Sequence, residues 1–138
     1  MKINDIFPGG TKMPAREYSP LTLAFIGDGV YELFVRSRIV GNTNAPAGKL
    51  HKMCVEYVKA KAQAEASKAM LDTLSEEELW AFKRGRNAKS PTVPKNADVT
   101  DYRLATGFEA LIGYLYLEGK EERIVELCSL AMKAVEEE

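Results

Sequence analysis

Ser19-Pro20-Leu21-Thr22-Leu23-Ala24-Phe25-Ile26-Gly27-Asp28-Gly29-Val30-Tyr31-Glu32-Leu33-Phe34-Val35 is the stretch whose reading decides the fold. Serine followed by proline supplies an N-cap and a first helical residue whose missing N–H is not needed there, so a helix starts here and runs to about Arg38. Gly41-Asn42-Thr43-Asn44 ends it. At 100° per residue Leu21, Ala24, Phe25, Asp28, Tyr31 and Val35 share one face, so Asp28 is expected to point inward from an apolar stripe.

Downstream the same period continues. Leu50, Met53, Cys54, Tyr57 and Val58 recur at three and four spacing and lead into an alanine-rich run, which predicts a second long helix from Pro46 to about Leu71. Ser75 with Glu78 forms a capping box that opens a third helix carrying Leu79, Trp80 and Phe82, which Gly85 is expected to stop. Pro91 and Pro94 make the segment from Asn87 to Asn96 a loop. A fourth helix is predicted from about Thr100 to Leu117 and a fifth from about Glu121 to Ala134, separated by Gly119. No run alternates like a strand and no repeat is present, so the expected fold class is all-α, a helical bundle.

With 138 residues, 46% hydrophobic and 28% charged, the chain suits one compact domain spanning 1–138, with 1–18 as an N-terminal extension. The apolar stretch Leu111–Leu117 is far too short to span a bilayer, and Met1–Gly10 lacks an export pattern, so no membrane association and a cytoplasmic location are expected. Cys54 and Cys128 belong to no metal-binding spacing and are expected to be reduced and buried. With His51 the single histidine, a zinc site or a catalytic triad has little support. Nucleotide-binding loops and serine-hydrolase elbows are absent.

Glu109 falls among Tyr102, Ala105, Thr106, Ile112, Gly113 and Tyr116, a second mostly apolar face bearing one acid. An inward carboxylate takes up a proton or finds a cation, and neither helix face offers a lysine or arginine. Gly27, Gly29, Gly107 and Gly113 lie inside the two acidic helices, where each disfavours helix by ~1 kcal/mol relative to alanine, so close approach of the two backbones is the expected compensation. The acids would then reach one hard, oxygen-loving cation, Mg²⁺ or Mn²⁺. The structural alternative has them hydrogen-bonded to Tyr31, Tyr102 or Thr106, or paired with a basic residue from another helix. Glu32, one turn after Asp28, is either an added ligand or an exposed helix-edge glutamate.

The net charge of −1 is unevenly spread. Lys83, Arg84, Arg86, Lys89 and Lys95 fall within residues 83–96 with no acid among them, interspersed with Asn87, Ser90, Thr92 and Asn96. Such a basic loop, extended over 83–98, suits phosphate and sugar contacts on RNA, with Lys83, Arg84, Arg86, Asn87, Lys89, Lys95 and Asn96 as candidate ligands. A solvated loop that maintains solubility is the other reading.

Leu23-Ala24-Phe25-Ile26-Gly27-Asp28-Gly29-Val30 resembles the signature helix of the ribonuclease III family, and Ala105-Thr106-Gly107-Phe108-Glu109-Ala110-Leu111-Ile112-Gly113 resembles its second acidic motif, in the same order. Lys83-Arg84-Gly85-Arg86-Asn87-Ala88-Lys89 and Pro94-Lys95-Asn96-Ala97-Asp98 are similar to the compact branch called Mini-ribonuclease III. The resemblance implies a homodimeric endonuclease domain in which Asp28 and Glu109 are catalytic acids and Mg²⁺ ligands, with Mn²⁺ as a substitute. Phe25 would lie at the dimer contact. It further implies hydrolysis of double-stranded RNA to 5′-phosphate and 3′-hydroxyl ends. Maturation of large-subunit ribosomal RNA precursors, with a ribosomal protein on the substrate, is the implied setting.

Ala24 and Thr106 stand where the larger enzymes have glutamate and aspartate, and no room is left for their double-stranded-RNA-binding domain. A non-cleaving helical module that binds RNA or the ribosome is therefore the competing expectation, and a phosphohydrolase of small phosphate esters a third.

Overall fold

A computed structural model describes residues 2–89, 93, 95 and 98–137. Among them the chain forms α1 (Ile3–Ile6), α2 (Pro20–Val40), α3 (Ala47–Val58), α4 (Ala60–Met70), α5 (Glu76–Asn87), α6 (Val99–Leu117) and α7 (Glu121–Glu136), two 3₁₀ turns and no strand. The all-α expectation holds.

The predicted helix starts are seen as hydrogen bonds. Ser19 Oγ accepts from Thr22 N at 3.2 Å with Pro20 behind it, Ser75 and Glu78 complete a reciprocal capping box, and Asp98 accepts from Asp101 N at 3.0 Å. Gly119, at φ +74°, closes α6 in the left-handed region that glycine enters freely.

Two boundaries differ from expectation. The alanine-rich run from Pro46 to Leu71 is two helices, because Lys59 is extended at φ −63°, ψ 153° and serves as both C-cap of α3 and N-cap of α4. Gln63 Nε2 donates to the carbonyl of Val58 at 2.9 Å, satisfying an oxygen the break leaves without its helical partner. Alanine propensity does not register such a side-chain-to-backbone contact. Gly85 likewise does not stop α5, which runs on to Asn87.

Helix α6 is the centre of the bundle and packs on α2, α4, α5 and α7. From Ala105 to Leu115 every residue is buried except Glu109, which is half-buried. At two glycines α6 meets α2 backbone to backbone. A Cβ on Gly27 would lie 1.7 Å from the Glu109 carbonyl oxygen, and one on Gly113 would lie 1.9 Å from that of Leu23. Against α5, Gly85 and Gly107 do the same work, meeting Thr106 and Phe82. Close approach thus explains Gly27, Gly107 and Gly113, but not Gly29, which is exposed with nothing within 4 Å in the chain.

Arg123, on α7, ties the start of α5 into the bundle through Glu78 at 2.8 Å and the Thr73 carbonyl at 2.8 Å. Cys54 and Cys128 are buried free thiols. No helix among the described residues is long and apolar enough to cross a membrane.

Gly113→Ala forces backbone apart and is expected to cost about 3 kcal/mol, the upper end of ordinary overpacking. Gly48→Ala meets open space in the first turn of α3. It is expected to leave stability unchanged or raise it by up to about 1 kcal/mol. Equilibrium denaturation of both variants checks the contrast.

Candidate active site

Asp28 is on α2, next to Gly27 in the contact with α6, and Glu109 is on α6 with its own carbonyl against Gly27. The side chains meet within hydrogen-bonding reach. Asp28 does not point inward as expected. The buried edge of α2 is Leu23, Ala24, Gly27, Tyr31, Val35 and Ile39, and Asp28, one residue round from Gly27, is exposed at the rim of that contact. The stripe assigned from helical period was too wide, since it also included Phe25, which is 80% exposed.

Glu109 is the more enclosed partner. Burial pushes its carboxyl up to about 8, the charge and hydrogen bond of Asp28 push the same way, and a hydrogen bond from Gln63 opposes them. None of the ion pairs among the described residues involves Asp28 or Glu109. The structural alternative of a basic partner from another helix is therefore not realised there. The Thr106 hydroxyl is also committed elsewhere, donating to the Tyr102 carbonyl at 2.9 Å. The result is a Glu109 carboxyl whose ionisation Asp28 opposes and that gains from any positive charge placed between the two acids. No group of three or more histidine, cysteine, aspartate or glutamate side chains suited to a metal occurs among the described residues, so the pair stands without a third acid.

Glu32 makes an i,i+4 ion pair with Arg36 at 3.2 Å, in keeping with a helix-edge residue. His51 is exposed on α3 beside an apolar cavity lined by Ile39, Leu50 and Cys54, on other residues than the acidic pair.

The basic segment divides. Lys83, Asn87, Lys89 and Lys95 are exposed, and the half-buried Arg86 donates through Nε to Asn87 Oδ1 at 3.2 Å. Arg84 is placed otherwise. Its Nη1 donates to the carbonyls of Arg16 and Tyr18 at 3.4 and 3.3 Å, and its guanidinium lies 4.7 Å from the Trp80 ring centroid, so it fastens the N-terminal segment to α5. Asn96 lies outside the described residues. Gly85, within the basic turn, packs on Thr106, Gly107 and Ala110, which sets this end of α5 at the level of Glu109 along α6.

Residues 21–120 match the model of the Ribonuclease III domain. The chain belongs to the ribonuclease III family, in its Mini-ribonuclease 3 group. It is 54% identical to a Mini-ribonuclease 3 of Thermoanaerobacter sp. (strain X514) over 127 residues, covering 92% of this chain and 89% of that one. With the Mini-ribonuclease 3 of Brevibacillus brevis it shares 53% identity over 120 residues, 87% and 90% of the two chains. A crystal structure of a Fusobacterium nucleatum protein superposes with a TM-score of 0.78 at 36% identity, covering 86% of this chain and 94% of that one. The fold and the ribonuclease assignment rest on this kinship.

Gln63 is the residue that sequence reasoning missed. It is 2% exposed and touches Glu109, but it sits in an alanine run where it reads as a neutral helix former.

The raised Glu109 carboxyl has a consequence for stability. In the folded state it holds its proton up to about 8, whereas its ordinary value is 4.5. Its contribution is therefore fully present below about pH 4.5, declines as pH rises, and is gone above about 8. In chelator, the melting temperature is expected to fall over that window, and Glu109→Gln to flatten the fall.

Proposed function

We propose that this ribonuclease is an endoribonuclease that hydrolyses double-stranded RNA as a homodimer, with Asp28 and Glu109 as catalytic acids and ligands of Mg²⁺, or of Mn²⁺ in its place. The observation that carries this is the meeting of the two acids with no ion pair to a basic side chain among the described residues, Glu109 being driven towards its neutral form. The donor set fits a hard cation: carboxylate oxygens with water to complete the shell, and neither thiolate nor imidazole among them. Bound there, such an ion supplies positive charge to a phosphate and acidity to a water.

The chain's own residues supply placement. Asp28 and Glu109 are carried by two helices locked backbone to backbone, so their spacing is set before RNA arrives. Lys83, Arg86, Asn87, Lys89 and Lys95 offer donors for phosphates and sugar hydroxyls at the end of α5 and beyond it, and backbone contact of this kind suits a duplex better than base reading. Arg84 contributes mainly by holding Arg16 and Tyr18. Hydrolysis adds the oxygen of water to phosphorus and breaks the bond to the 3′-oxygen, which takes up a proton, leaving 5′-phosphate and 3′-hydroxyl ends. On kinship, the substrate we infer is a duplex stem of precursor large-subunit ribosomal RNA.

A stripe on α2 supports the dimer. Phe25 is 80% exposed and Leu33 57%, with Gly29 between them at helical spacing. Beside it lies a groove lined by Ile6, Val30, Phe34, Tyr116 and Val125. A second copy covering this face would remove Phe25 from water.

On a labelled RNA duplex with Mg²⁺, Asp28→Asn and Glu109→Gln are each expected to lower the cleavage rate by at least about 100-fold, and chelator to abolish cleavage. Binding without cleavage by the unmodified protein would instead make it a docking module. Lys83→Ala or Lys89→Ala is expected to weaken duplex binding alike at all sequences and to reduce the slope of log affinity against log salt by about one. An unchanged slope returns those residues to a solvated surface.

A further inference from the structure

Gln63 is nearly inaccessible, at 2% exposure, and its side chain lies between two places. The amide nitrogen donates to the Val58 carbonyl at 2.9 Å across the break between α3 and α4. Because that carbonyl can only accept, the amide is oriented with nitrogen towards it. The same face of α4 packs on α6, where Ser67, one turn along from Gln63, reaches the Leu104 carbonyl at 3.3 Å, and the Gln63 amide acts on the Glu109 carboxyl in the sense that favours the carboxylate. Its remaining atom, Oε1, is buried without a hydrogen-bond partner, a state that ordinarily costs about 1–3 kcal/mol. A plain leucine or methionine would pack an alanine-rich helix without that penalty. The helix around it is held independently, through Ser67 Oγ to the carbonyls of Gln63 and Leu104 at 2.8 and 3.3 Å.

We propose that Gln63 is a positioning residue for the acidic pair: its amide, anchored at the α3–α4 break, holds the Glu109 carboxylate beside Asp28 so that both acids share one cation. The unpaired Oε1 is then an acceptor for water carried into the site with the ion. The inference rests on the metal-binding role given to Asp28 and Glu109 above. It makes the helix break part of the active site, since a straight α3–α4 helix would have no open Val58 carbonyl to anchor the amide.

The test is Mn²⁺ binding to the full-length, RNA-free protein, read by electron paramagnetic resonance, with melting temperature and cleavage kinetics measured alongside. Gln63→Met, similar in volume and without donors, is expected to weaken Mn²⁺ binding about tenfold. It should leave KM for RNA unchanged and recover most of its cleavage rate at high Mg²⁺. Gln63→Asn, one methylene too short to span Val58 and Glu109 together, should behave alike and serves if the methionine variant does not fold. Ser67→Ala, equally buried on the same helix, should lower the melting temperature without moving Mn²⁺ affinity. If Glu109→Gln weakens Mn²⁺ binding while both Gln63 variants stay within twofold of the parent, Gln63 has no positioning role and the metal assignment stands. A Gln63 defect that tracks melting temperature, as for Ser67→Ala, and that added Mg²⁺ does not relieve also overturns it. Mn²⁺ binding that is absent in the parent, or unaffected by Glu109→Gln, removes the metal assignment and this inference with it.

Discussion

At Gly27 and Gly113 two helix backbones meet with no side chain between them, and the placement of nearly every functional group follows from that contact. A methyl group at either position would overlap a carbonyl oxygen of the opposite helix, so α2 and α6 have one available separation and one register. Asp28 follows Gly27 directly and the Glu109 carbonyl is the atom against it, so the register that closes the core also brings the two carboxyls together. Gly85 and Gly107 also let α5 approach α6 closely and carry the basic turn with it. The helix-propensity loss of ~1 kcal/mol at each interior glycine is offset by dispersion and burial along the whole length of α6.

The same contact sets up an electrostatic tension. Removing Glu109 from water and placing Asp28 beside it both oppose ionisation, and the hydrogen bond from Gln63 compensates only in part. Elsewhere the fold handles a buried acid differently: Glu78 has Arg123 at 2.8 Å and the Ser75 N–H at 2.9 Å, and its carboxyl is held below its ordinary value. The contrast between the two glutamates is informative. An acid that serves structure is neutralised within the chain, whereas Glu109 has no such cation among its interactions and stays responsive to one from outside.

Much of this was legible in the residues. Ser19-Pro20, the Ser75–Glu78 box and Gly119 act through atoms within four residues of themselves, so local chemistry located those boundaries. Gly27, Gly107 and Gly113 were legible as costs that demand close packing. Gly29 shared that signature without sharing the cause, because its open side faces solvent within the single chain. The α3–α4 break and the role of Gln63 were not legible, since both depend on a side chain reaching a carbonyl five residues back and an acid forty-six residues ahead. The contacts of Arg84 with the N-terminal segment were not legible for a related reason: its carbonyl partners lie more than sixty residues away in the chain. Asp28 was placed too deep because helical period gives direction around the axis, while the width of the buried strip depends on how closely the neighbouring helix approaches, here close enough to leave only a narrow edge inside.

The two positions where larger family members carry further acids show how a reduced site holds together. Ala24 is buried in the α2 contact, and Thr106, also buried, turns its hydroxyl to the Tyr102 carbonyl, so neither leaves an unmet charge. A carboxylate at either place would add a like charge near Glu109 and raise its carboxyl further in the absence of a cation. The neutral amide of Gln63 instead gives Glu109 a hydrogen bond while adding no charge. With two acids and one amide, this arrangement bears less repulsion than a fuller set of carboxylates would at the spacing that Gly27 and Gly113 impose.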